Sequence, residues 1–103
     1  MPEIIRKEYH IPADHPCLMG HFPGDPIVPG VVILDFVRDL IKQHYPESQI
    51  ATISQAKFHQ PLRPDQPFTI TLQKTNSAGF KFECFREADK LTSGKLTITP
   101  LHD

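Results

Sequence analysis

The chain has 103 residues, room for one domain whose apolar surface a monomer only partly buries. Eleven Lys and Arg against twelve Asp and Glu give a net charge of −1, with no basic run that would track a phosphate backbone, so nucleic acid is not an expected partner. Cys17 and Cys84 form no CxxC pair and are too few to staple a secreted fold; no apolar run reaches the roughly 18 residues of a membrane span, and Met1-Pro2-Glu3 lacks the opening of a signal peptide. Two reduced thiols, no membrane contact and a cytoplasmic location are the expectation.

Residues 4–11 read as a partly exposed strand, with Ile5, Tyr9 and Ile11 on one face and Arg6, Glu8 and His10 on the other. Pro12 and Pro16 break it, and the segment to Gly30 is irregular, five of its residues being proline. Pro23, Pro26 and Pro29 fix their own φ angles and bias their predecessors toward extended geometry, so the loop presenting His21 has little freedom left to lose. Gly30 then lets the chain pass closely into a helix over residues 31–45, about 22 Å long at 1.5 Å per residue and stopped by Pro46.

The first half of that helix, Val31-Val32-Ile33-Leu34, is apolar on every side, which predicts that something wraps it. Its second half is amphipathic, with Arg38, Asp39, Lys42 and Gln43 toward water and Phe36, Val37, Leu40 and Ile41 toward a core. From Gln49 onward the apolar period changes to two. Ala51/Ile53 with Ala56/Phe58, Phe68/Ile70/Leu72, Phe80/Phe82/Cys84 and Leu96/Ile98 mark four strands, separated by turn chemistry at 61–67, 76–79 and 88–90. One strand, one helix and four strands make a single α+β domain over 1–103, most economically a curved antiparallel sheet wrapped around the helix.

Two side chains stand out for chemistry. His21, taken alone, is either a loop histidine bonded to backbone or a base whose unperturbed pKa near 6.5 suits proton transfer. Asp35 either begins the solvated face and pairs with Arg38 at i,i+3, or is a carboxylate desolvated between Ile33-Leu34 and Phe36-Val37 and so turned into a usable acid. The unpaired amides of Gly30 and Val31 at the helix start carry the positive end of its dipole and suit a developing oxyanion, although Gly30 also serves simply to allow a tight approach. His10, His15, His44, His59 and His102 show no ligand spacing for zinc and read as surface or capping residues, and Phe80, Phe82 and Phe85 read as core.

The run Gly20-His21-Phe22-Pro23-Gly24-Asp25-Pro26-Ile27-Val28-Pro29-Gly30-Val31-Val32-Ile33-Leu34-Asp35 resembles the signature of the hot-dog-fold 3-hydroxyacyl-[acyl-carrier-protein] dehydratases. Ala56 to Asp65 resembles the same family's Lys-Phe-x-x-Pro-x-x-Pro-Gly-Asp strand and turn, and Ser93-Gly94-Lys95-Leu96 its late Gly-containing strand, so the likeness spans most of the chain from about Asp14. The resemblance implies a hot-dog fold, no cofactor or metal, and a dimer of identical or related subunits acting on thioesters held by an acyl carrier protein. It casts His21 as the base at the carbon beside the thioester carbonyl and Asp35 as the acid that, with a water, protonates the leaving hydroxyl. Gly30 and Val31, with Phe22 and Pro29 beside them, would bind the substrate and its oxyanion, while Arg38, Lys42, Lys57 and Arg63 are candidates for carrier contact.

Two departures from the pattern bear on activity. Asp39 stands where family members carry Gln, which puts a second carboxylate one turn from Asp35, and the late start of the chain is similar to the short dehydratases of aryl polyene and polyketide-like pathways. Two alternatives therefore stay open: a hot-dog thioesterase, which would use a helix carboxylate and dispense with His21, and a silent acyl-binding subunit that completes a partner's site.

Overall fold

A computed structural model describes residues 4–12, 28, 30–76 and 78–101. Strand β1 (Ile4–Tyr9) precedes helix α1 (Gly30–His44), and β2 (Ser48–Phe58), β3 (Phe68–Lys74), β4 (Gly79–Arg86) and β5 (Asp89–Pro100) follow. The five strands form one antiparallel sheet in the order β1-β3-β4-β5-β2. The tight connections behave as their residues dictate. Asn76 Oδ1 accepts from the amides of Ala78 (3.0 Å) and Gly79 (2.8 Å) between β3 and β4, and Glu87, at φ 53°, takes the left-handed position between β4 and β5.

The core is the inner face of this sheet against one side of α1. Phe68, Ile70, Leu72, Phe80, Phe82, Cys84 and Leu96 meet Ile33, Val37, Leu40 and Ile41, all essentially without solvent contact. Tyr9, Phe36 and Phe68 form an aromatic cluster at 4.7–5.8 Å between centroids. Arg86 reaches the carbonyl of Pro61 (3.4 Å) and the side chains of Gln66 (3.1 Å) and Gln60 (3.4 Å), holding the long β2–β3 connection against the sheet. Asp65, at φ 62°, ties that connection to the segment after β1 through its amide and the Ile11 carbonyl at 2.7 Å.

One expectation about the helix is reversed. Its opening is the less covered half: Val31 is 64% exposed, Val32 and Leu34 are half-buried, and only Ile33 is fully enclosed, because the sheet of one chain closes on the C-terminal turns. The wrapping that an all-round apolar opening demands must come from outside the described residues of a single chain.

Strand β2 is, with β1, one of the two edges of the sheet and is exposed along nearly its whole length. It carries two irregularities against β5, one between Ile50 and Thr52 and one between Ser54 and Lys57, where Gln55 sits at φ 55°. Each adds one residue to β2 relative to β5.

Burial of Cys84 pushes its thiol up from 9.0 to about 12. Because the raised value belongs to the folded state, the stability tied to that proton is present below pH 9 and is lost as pH rises toward 12. Tyr9 moves the same way, through burial first and the charge of Asp39 second. Urea melts from pH 8 to 10.5 should show wild type losing stability faster than Cys84→Ala, while parallel curves would remove Cys84 as a source of the pH dependence.

Candidate active site

Ahead of α1, the amide of Val28 donates to the carbonyl of Leu62 at 2.8 Å; both side chains are buried. That bond joins the helix start to the β2–β3 connection. Between them lies an open cavity of about 500 Å³, walled by Val28, Gly30, Val31, Leu34, Phe58 and Leu62 and rimmed by His59 and Gln60. No acidic side chain occupies the first turn of α1, so within that turn nothing offsets the positive end of the helix where it meets the cavity. The chemistry on offer is an apolar trough leading to the first amides of the helix.

Phe58 forms one wall at close quarters. A methyl group on Gly30 would lie 2.6 Å from Phe58 Cε1, so the glycine is what admits the ring, which remains 53% exposed. His59 is fixed by its amide to the Leu91 carbonyl (2.7 Å) and by a bond between its Nε2 and Ser93 Oγ (2.9 Å). The sequence motifs assign no site role to Phe58 or Leu62. Their signal was present in the stretch from Ala56 to Asp65, where an aromatic ends a strand just before Pro61.

Asp35 lies on α1 beyond the cavity. With Val31, Arg38 and Lys42 it forms an exposed stripe, and its carboxylate, 54% exposed, pairs with Arg38 Nη2 at 3.3 Å. The desolvated environment expected for this side chain is absent in the single chain, for the same reason that Val31 is bare: nothing described covers that stripe. The Asp39 charge acts on Tyr9, whose hydroxyl is buried and has no partner among the described residues.

His21, Phe22 and Pro29 lie outside the described residues. The four proposed carrier contacts do not converge. Arg38 and Lys42 flank a groove of about 400 Å³ that also includes Ile50 and Leu101, Lys57 projects on the outer face of the sheet, and Arg63 is half-buried in the β2–β3 connection.

An antiparallel sheet closed on one helix, with an apolar cavity at that helix's N-terminus, defines a hot-dog-fold protein, and solved structures bear this out. The chain superposes on the dehydratase heterocomplex ApeI:P of Xenorhabdus doucetiae with a TM-score of 0.80 at 21% identity, covering 95% of this chain and 97% of that one. It superposes on the (R)-hydratase of A. caviae with a TM-score of 0.76 at 13% identity, covering 96% and 95%. A family model described as ApeI-like, ApeI dehydratase, matches residues 2–95, and the chain belongs to that family. The 3-hydroxyacyl-[acyl-carrier-protein] dehydratase FabZ of Haemophilus influenzae is 33% identical over 80 residues, covering 69% of this chain and 54% of that protein, so the chain spans about half the length of this relative. Among the described residues no helix is long and apolar enough to cross a membrane.

Proposed function

We propose that the protein is a 3-hydroxyacyl thioester dehydratase acting on substrate carried by an acyl carrier protein. The observation that carries this reading is the apolar cavity ending at the first amides of α1, a turn that holds no acidic side chain, in a chain of a dehydratase family. The acyl chain would lie against Val28, Leu34, Phe58 and Leu62, with the thioester oxygen at the Gly30 and Val31 amides. His21 would take the C2 proton and the electron pair would pass to the thioester oxygen, held there as an enolate by the amides. On its return the pair forms the C2–C3 double bond and expels the C3 hydroxyl, which leaves as water with a proton from Asp35.

Asp35 can serve only if another surface covers it. Val31 and Asp35 are bare, and β2 offers an unpaired edge with Ile53 39% exposed, so the reading includes a second hot-dog subunit joined along β2, the site being shared between His21 of one subunit and Asp35 of the other. Solution scattering at micromolar concentration should give a mass of at least two chains, and Ile53→Asp should lower it. A monodisperse wild-type monomer would remove the shared site.

A second reading rests on the Asp35–Arg38 ion pair: the chain is the silent member of a heteromeric dehydratase, binding acyl groups while a related subunit supplies the acid. The ApeI:P neighbour is itself a heterocomplex. Offering 3-hydroxyacyl and 2-enoyl carrier-protein thioesters, and assaying dehydration, hydration and free thiol separately, distinguishes the readings. Alkene formation by the chain alone supports the first and inertness the second, while release of free thiol would make the protein a thioesterase.

A further inference from the structure

The outer face of the sheet, opposite the core and the acyl cavity, carries a charge arrangement that the dehydratase reading does not use. Register fixes its rows: Lys81 of β4 stands directly opposite Lys95 of β5, and in the next row Glu83 stands opposite Ser93, which in turn faces Lys57 of β2. Like charges directly opposite across a sheet are destabilising. Lysines are common on edge strands, where they discourage further pairing, and that accounts for Lys57. It does not account for Lys81 and Lys95, because β4 and β5 are interior strands.

Nor does the surrounding face neutralise them. All three lysines are exposed, and none has an ion-pair partner among the described residues. Glu83, the carboxylate that register places between them, is taken by Lys90 at 2.7 Å. The three lysines, with Gln55, Ser93 and the backbone of Gly94, line a cleft of about 110 Å³. In a protein of net charge −1 this is a local excess of three positive charges around a space that fits one small group.

We infer that this cleft binds a phosphate group. Three lysines lining one cleft, beside a serine hydroxyl that also bonds His59, match a compact, multiply charged oxyanion with several acceptor atoms, and charge-assisted hydrogen bonds to it would relieve the Lys81–Lys95 repulsion that folding leaves standing. The smallness of the cleft favours this over an extended acidic protein surface, which would spread its carboxylates over a wider area. The site lies on the opposite face of the sheet from the acyl cavity, joined to its rim through the Ser93–His59 bond at 2.9 Å, and does not rest on the dehydratase reading.

Amide NMR titrations at constant ionic strength, with inorganic phosphate and with adenosine 3′,5′-bisphosphate, test the inference against chloride. Saturable shifts confined to the surroundings of Lys57, Lys81, Ser93 and Lys95 are expected. Equal responses to the two probes assign bare phosphate as the ligand, and a stronger response to the second assigns a nucleotide-borne phosphate. Lys81→Gln and Lys95→Gln should each weaken phosphate binding by about threefold to tenfold, as expected for losing one charged hydrogen bond at an exposed site. They should also raise the thermal midpoint of the ligand-free protein, an effect that purely solvating lysines would not produce. Linear shifts indistinguishable from those of chloride, or tighter binding of polyglutamate than of either phosphate probe, would overturn the assignment.

Discussion

Replacing His21 by Ala, or Asp35 by Asn, should slow dehydration about 10²–10⁴-fold each, since that is what a positioned acid or base contributes. Binding of the acyl chain should be nearly untouched, because its contacts are those of the cavity walls and the helix amides, to which neither side chain belongs in the proposal. Asp35→Glu should keep a substantial part of the rate, the resembled family using either carboxylate. Asp39→Gln should leave the rate intact or raise it by removing a like charge one turn from Asp35. Arg38→Ala sharpens the test: an exposed pair with Asp35 is worth at most about 1 kcal/mol to stability, so a large change in rate would mean that Arg38 governs the availability of the acid rather than the fold. Should His21→Ala keep full activity while Asp35→Asn abolishes free-thiol release, the protein is a thioesterase.

Gly94→Ala should be the most damaging methyl addition among the described glycines. The new Cβ would sit 2.5 Å from Phe82 Cζ and 3.2 Å from the Ala56 backbone, and Phe82 has no solvent contact into which it can swing. Overpacking of this kind costs about 1–3 kcal/mol, or roughly 4–8 °C in Tm per kcal/mol for a domain of this size. Trimming the ring, as in Gly94→Ala with Phe82→Leu, should recover part of the loss; a double mutant no better than the single would place the damage in the backbone. Gly30→Ala makes a useful contrast. Its clash at 2.6 Å is with Phe58, which is half in solvent and can rotate away, so the variant should remain folded but show altered acyl-chain preference.

The contrast between those two glycines reflects what a single sequence can reveal. Strand and helix positions follow from local periodicity, and five of the six elements lie close to where the apolar spacing puts them, with α1 ending one residue before Tyr45 and β1 stopping two residues short of Ile11; β5 instead begins at Asp89, inside the expected 88–90 turn and well ahead of the Leu96/Ile98 pair that marks it. Sheet order is a non-local property. Nothing in residues 48–58 states that this strand lies beyond β5 rather than beside β3, and the arrangement depends on the long connection that Arg86 and Asp65 hold in place. The same limit applies to the site. Gly30 and Val31 border the cavity as their motif implies, but the wall facing them comes from Phe58 and Leu62, which only the fold brings across. The environment of Asp35 was the least legible feature, because an apolar flank along the chain does not say whether its cover comes from the same molecule.

The irregularities of β2 let one ribbon serve two unrelated surfaces. In an uninterrupted strand, Ser54 and Lys57 would point to opposite sides, since side chains alternate. The added residue between them resets the phase, so that Ser54 and Lys57 both face outward with Lys95 and Ser93, and Phe58 falls inward toward Gly30. Straightening the strand at Gln55 without removing a residue would thus act as a frameshift in space rather than in code. Pairing held at Ser54 would then set Lys57 opposite Thr92, carrying the lysine toward the cavity and the aromatic ring toward the basic cleft, whereas deleting the added residue would leave both faces as they are.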